Sequence, residues 1–337
     1  MTKTEILKQI DKPEKDVSVL MLSWQDAHLL YEWFDNFLKY TQTSIKTEVI
    51  VIDNGSGDPK FDLVIKKYAG QDNFYFLKNP TNEYIPAINK LAPMAGGRYI
   101  MLAAPGAPFL NDVIGPMKMY LDSHPNVGAV SAKFINEDDS FQNVYKKFLS
   151  IPRIFLEGTV EMGRKLGVTL AKNFNIFHSV PEGTDPMKPF PIERAHLCAF
   201  MLRREAVGNE PIIEPTIPLG PCDADLCKRI YKKGHTVRGL PEARVLHHRS
   251  VALNHHRENF KNQCNILGTL RYFQKHHSFQ YPLLKSLFLI DQSISFLRLW
   301  LQIKFLKKRG IETDANKLAY HRHLLSLLAR SKISVLG

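Results

Sequence analysis

Cysteine is scarce in this 337-residue chain, with only 4 residues, and their spacing limits what they can do. Cys222 and Cys227 stand five positions apart with no second pair beside them, which argues against a zinc site, and Cys198 and Cys264 are expected to be reduced thiols rather than a disulfide. The opening residues, MTKTEILKQIDKPEKD, lack the apolar run of a signal peptide, so a cytoplasmic protein is expected. No GxGxxG follows the first expected strand and no GxxxxGK[ST] occurs anywhere, so dinucleotide and P-loop readings lack their glycine cradle. Internal repeats are absent. Acidic residues are sparse from Arg244 to Gly337, where 16 Lys/Arg stand against 4 Asp/Glu; that excess equals the formal net charge of +12 for the whole chain, so the remainder is neutral. Most of the 13 histidines also fall in this tail. A tail of this kind predicts an anionic partner, either lipid headgroups or nucleic acid.

What is present is enough for a large core: 44% of the residues are hydrophobic and 23% charged, which excludes a disordered chain. Apolar runs with β-branched members alternate with segments of helical spacing. VSVLMLSW (17–24), TEVIVIDN (47–54), NFYFLKN (73–79) and RYIML (98–102) read as strands, separated by helices over 28–41, 60–70 and 85–95. NVGAVSAKF (126–134) and HLCAFMLRR (196–204) read as later strands, on either side of an irregular Pro- and Phe-rich stretch from about 140 to 192. Strands joined by single helices predict a doubly wound α/β sheet.

Two loops at expected strand ends stand out, because open α/β sheets hold ligands there. Asp53-Asn54-Gly55-Ser56-Gly57-Asp58 offers a carboxylate, which can accept from a ribose or a base, and glycines that let backbone N–H groups face a ligand; an Asx-capped turn is the plain alternative. Ala103-Ala104-Pro105-Gly106-Ala107 has the shape of such a loop and no side chain able to hold anything.

In order, VSVLMLSWQ, VIVIDNGSGD, NPTNEYIPAINKLAPMAGGRYIML, HPNVGAVSAKF, CAFMLRREA, GPCDADLCKRIYKKGHTVRGLPEARVLHH and ENFKNQCNILGTLRYFQKHH resemble the successive motifs of family 2 glycosyltransferases, in the rhamnosyltransferase- and galactofuranosyltransferase-like branch. The resemblance covers about residues 17–277. It implies a GT-A fold, a mixed doubly wound sheet over 15–255, after a polar extension (1–14) and before a basic amphipathic helical region (256–337). It also implies sugar transfer from a UDP- or dTDP-linked donor to a hydroxyl of a glycan or polyprenyl-linked acceptor, with inversion.

By the same resemblance, Ser23, Trp24, Asp53, Asn54, Ser56 and Asn89 fall among the donor-binding positions. Asp223 falls at the catalytic base, with Asp225 as its acidic companion and Cys222 where the family has another acid; a helix N-cap is the structural alternative for Asp223. His247 takes the place of the metal-binding histidine, and Gly106 the place of an aspartate in the family's Asp-x-Asp motif. A Mg²⁺ or Mn²⁺ site without those carboxylates is weak, since both ions need hard oxygen donors. Donor binding is therefore expected to depend little on metal, with His247 and Arg249 contacting the diphosphate.

In LLKSLFLIDQSISFLRLWLQIKFLKKRG (283–310), Asp291, Ser295, Arg298 and Gln302 form a polar stripe at helical spacing within an otherwise apolar surface, too often interrupted by charge to span a bilayer. A basic helix of this kind suits an anionic membrane surface, with packing on the catalytic domain or on a second subunit as the alternative. The expectation is an enzyme of bacterial surface polysaccharide synthesis, such as O-antigen or capsule, peripheral on the inner face of the plasma membrane. A catalytically inactive binding subunit and a nucleic-acid-binding protein are the alternatives, the second lacking any recognition motif.

Overall fold

A computed structural model describes residues 15–82, 86–156, 187–217, 220–248, 258–305 and 311–330. The expected polar extension (1–14) and Arg249 lie outside these residues. The described residues fall into two compact units, one of 15–148, 187–215 and 223–248, the other of 149–156, 216–222 and 258–330.

The first unit is built on an eight-stranded mixed sheet in the order β3-β2-β1-β4-β7-β5-β8-β6. The strands are β1 Lys15–Ser23, β2 Thr47–Asn54, β3 Phe74–Asn79, β4 Gly97–Ala103, β5 Val127–Ile135, β6 Phe190–Pro191, β7 Ala199–Arg203 and β8 Thr236–Leu246. Every residue of β2 is buried, as expected for a near-continuous apolar run in a sheet covered on both faces. β1 to β4 are mutually parallel, and β5 is parallel to β8. Between them β7 runs antiparallel to both β4 and β5. The periodicity of HLCAFMLRR thus foretold a strand, while its reversed direction comes from the sheet as a whole. The reversal places the start of β7 beside the end of β4 and the middle of β5, so that Ala199 pairs with Ala103 and Phe200 with Ser131. Leu246, at the end of β8, pairs with Ile135. The ends of β1, β2, β4, β5 and β8 and the beginning of β7 therefore share one edge of the sheet.

The helices of this unit are α1 Leu30–Tyr40, α2 Pro59–Tyr68, α3 Pro86–Leu91, α4 Ile114–Ser123, α6 Arg204–Val207 and α7 Cys222–Lys232, the last beginning at the boundary residue Cys222. α1 buries Trp33, Phe34 and Phe37, and these rings meet Phe109 and Phe74 at centroid separations of 5.3 and 4.9 Å. α2 starts sharply because the Asp58 carboxylate accepts from the Lys60 N–H at 2.9 Å and Pro59 occupies the first turn.

The second unit contains α5 Ile151–Leu156, α8 Glu258–His276, α9 Tyr281–Phe305 and α10 Ile311–Ala329. α9 and α10 pack on each other. The polar stripe of α9 is partly turned inward: Asp291, Gln292 and Ser295 are buried. Gln292 donates to Asp291 at 3.0 Å and accepts at 2.8 Å from Nδ1 of His321 on α10. Ile290, Ile294, Leu297, Leu301 and Phe305 are left exposed. Satisfied polar groups can occupy such a seam, because each hydrogen bond removes the cost of burying its partners. No described helix is long and apolar enough to cross a membrane.

Candidate active site

The edge where β1 and β2 end gathers Ser23, Trp24, Asp53, Asn54 and Ser56. Ser23 and Asp53 are register partners on adjacent strands, and both are buried. The Asp53 carboxylate accepts from the hydroxyl and, at 3.4 Å, from the N–H of Ser56, which folds the loop back over the strand end. Gly55 sits in the left-handed region at φ +73°, and a Cβ there would stand 2.5 Å from the carbonyl carbon of Thr81, so glycine is required. The fully buried Asn54 donates to Asn82 at 2.7 Å and accepts from Asn79 at 3.0 Å, tying the loop to β3. Beside the loop lies an open cleft of about 620 Å³ lined by Asp53, Ser56, Asp58, Lys78 and Asn79, among others.

Asp26 joins this group, and sequence reasoning passed over it. Its carboxylate accepts from the Ser23 hydroxyl at 2.7 Å and from the Trp24 N–H at 3.0 Å. Burial pushes its pKa up to about 6, against those hydrogen bonds, and the neighbouring Asp53 charge adds to the rise. A carboxylate three residues beyond a strand end was the available signal.

The loop without ligand side chains lies between the start of β7 and the end of β8. Ala104 N–H donates to the Cys198 carbonyl at 3.1 Å, and His248 N–H to the Gly106 carbonyl at 2.9 Å. Nothing in the backbone imposes glycine at 106: a Cβ would approach the His248 oxygen no closer than 3.4 Å. Across the same edge, His196, Cys198 and His247 bring one ligand atom each to within 4.8 Å of one another. Nδ1 of His247 is hydrogen-bonded to Gln142 Oε1, which fixes the ring's orientation. The ring of Phe134 lies edge-on to both imidazoles, at 5.2 and 6.3 Å between centroids. Burial holds His196 below the usual imidazole range and raises the Cys198 thiol to about 12. Cys198 is half-exposed as a residue while its thiol is enclosed. These nitrogen and sulfur donors do not fit Mg²⁺ or Mn²⁺, which prefer hard oxygen. None of the four cysteines is in a disulfide.

Asp223 stands in the first turn of α7, where the helix dipole favours negative charge. Arg194 holds its carboxylate through an Nε–Oδ2 bond of 2.8 Å, a partner the sequence reading did not name. The Asp223 charge also acts on His196 and Cys198, so the base candidate borders the histidine and cysteine group. Asp225 is placed differently. It is fully buried and bonded to Arg229, one turn on, at 2.8 Å, while Arg229 also donates to the carbonyls of Pro211 and Ile212. Asn89 has an equally structural position, its amide donating to the Ile213 carbonyl at 2.7 Å and accepting from the Ile213 N–H at 3.0 Å.

Residues 18–193 match the family model described as Glycosyl transferase family 2. No curated protein matches the chain. Among solved structures, it is similar to GalNAc-T7 with UDP, GalNAc and Mn²⁺, with a TM-score of 0.50 and 12% identity over 70% of this chain and 44% of that one. It is also similar to residues 1–349 of S. aureus TarS, with a TM-score of 0.49 and 13% identity over 92% of this chain and 90% of that one. The chain therefore spans less than half the length of the first of these structures. At 12% identity the likeness to the first is one of fold.

Proposed function

Because the chain belongs to glycosyl transferase family 2, we propose that it transfers a sugar from a UDP- or dTDP-linked donor to a hydroxyl of a glycan or lipid-linked acceptor, with inversion at the anomeric carbon. The observation that carries this reading is the buried Asp53, braced by Ser56 and next to Ser23, opening onto the cleft beside β2. A carboxylate held there can accept from ribose hydroxyls or a pyrimidine N–H, and Trp24 supplies a ring for stacking.

Asp223 takes the role of base. The acceptor oxygen attacks the anomeric carbon, the bond from that carbon to the diphosphate oxygen breaks with its electron pair leaving on the diphosphate, and the hydroxyl proton passes to the Asp223 carboxylate. Arg194 positions that carboxylate. The rhamnosyl- or galactofuranosyl-transferring branch, and bacterial surface polysaccharide as the product, belong to the same proposal. The proposed place of work is the cytosolic face of the plasma membrane, supported by the basic tail and the exposed apolar side of α9.

The test combines binding and turnover. UDP or dTDP at a hundred times its dissociation constant should stabilise the protein by about 2.7 kcal/mol. Asp223→Asn should keep that stabilisation and lose about a hundredfold or more in turnover. Near-normal turnover would leave Asp223 as a partner of Arg194 alone, and no stabilisation by any nucleoside diphosphate would sink the donor assignment. The missing carboxylates at Ala104 and Gly106 favour a second reading, a binding subunit without activity, which an absence of donor hydrolysis by a nucleotide-binding wild-type protein would establish.

A further inference from the structure

We infer that His196, Cys198 and His247 form a site for a soft or borderline divalent metal of the zinc type, at the edge where the family would hold a hard one. The inference rests on the transferase reading for what the metal would do, and on geometry alone for its existence. His196 and Cys198 lie just before β7 and His247 just after β8, and their ligand atoms all fall within 4.8 Å of one another. A tetrahedral zinc with bonds of about 2.0–2.3 Å draws its ligand atoms to roughly 3.3–3.7 Å apart. The ligand atoms would draw in by about an ångström to reach that spacing.

Two independent features support a built site. Gln142 Oε1 accepts from His247 Nδ1–H, an arrangement by which a second group fixes a ligating histidine's tautomer and ring orientation. Gln142 is itself buried and held, its amide donating to Asn136 Oδ1 at 2.8 Å. The Ala103–Ala107 loop adjoins the backbone on both sides of the group, the Ala104 N–H donating to the Cys198 carbonyl at 3.1 Å and the Gly106 carbonyl accepting from the His248 N–H at 2.9 Å. One thiolate and two imidazoles select zinc-like ions over Mg²⁺ and Mn²⁺. Binding would release the Cys198 thiol proton to solvent and leave a fourth position open to an anionic oxygen, such as one from the donor's diphosphate.

Cobalt(II) serves as the probe because its spectrum reports ligand type and geometry. The full-length protein, stripped of metal and given Co²⁺, should take up about one ion per chain, with a thiolate-to-cobalt charge-transfer band and the intense visible bands of a four-coordinate site. Cys198→Ser should abolish the charge-transfer band, while Cys264→Ser should leave it unchanged. Gln142→Ala should weaken Co²⁺ binding by about 10- to 100-fold. UDP should shift the visible bands of the wild-type cobalt form. No uptake by the wild type, a spectrum without thiolate character, or a charge-transfer band that survives Cys198→Ser would overturn the site. Visible bands unmoved by a bound UDP would overturn its placement at the diphosphate. Cobalt bound with thiolate character in a protein that binds no nucleotide would keep the metal site and remove the donor assignment, so the two failures read separately.

Discussion

Asp26 shows how much a single buried carboxyl can matter. Its pKa rises from 3.8 to about 6 on folding, chiefly through burial. A raised carboxyl pKa favours the folded state fully only below the unfolded value, and that contribution is lost as pH climbs through the folded value. The loss falls between about pH 4 and 6 and is on the order of 3 kcal/mol for a shift of this size. Asp26→Asn keeps an acceptor for Ser23 and Trp24 and carries no charge. Its stability relative to wild type should therefore improve from pH 4 to pH 7 by up to about that amount, measured as urea unfolding free energies across the range. A difference that stays flat with pH would show that the carboxylate is solvated. Ser23 and Trp24 were marked by the family resemblance alone, while Asp53 stood out also because its strand-end loop carries its own turn chemistry. Asp26 and Arg194 were not legible, since nothing local marks a side chain that acts across to another segment.

α9 shows that periodicity finds a helix without saying which side faces in. Asp291 and Ser295 were visible as a polar stripe in the sequence, and the structure buries them with Gln292 while Leu297 and Leu301 remain 53% and 41% exposed. His321 on α10, far along the chain, gives the buried Gln292 a partner. Leu297→Glu with Leu301→Glu should change unfolding stability by no more than about 0.5 kcal/mol each, as expected for exposed positions away from packed features. The same pair should reduce co-sedimentation with anionic liposomes if this face meets a membrane. Undiminished sedimentation would remove the membrane role. A fall in oligomeric mass instead would assign the face to a second copy of the chain.

Across the whole molecule the charge is divided, with a neutral stretch up to Glu242-Ala243 and 16 Lys/Arg against 4 Asp/Glu beyond it. Electrostatic attraction to an anionic surface weakens as salt shortens the screening length, from about 10 Å at 0.1 M to about 3 Å at 1 M. Liposome binding by the full-length protein should therefore fall across that range of NaCl, and salt-independent binding would leave the apolar face of α9 as its sole cause. The strand and helix alternation, the loop chemistry at Asp53 and the charge division can be read directly from the residues, because periodicity, turn residues and composition are local properties. The sequence also shows that the loop at Gly106 carries no carboxylate. Only the tertiary structure decided that β7 runs antiparallel, and that reversal brings His196 and Cys198 to the same edge as His247. Cysteine spacing argued against zinc because it compares neighbours in the chain, whereas His196 and Cys198 precede β7 and His247 follows β8, two strands with β5 between them in the sheet, and the folded backbone sets the distance between their side chains.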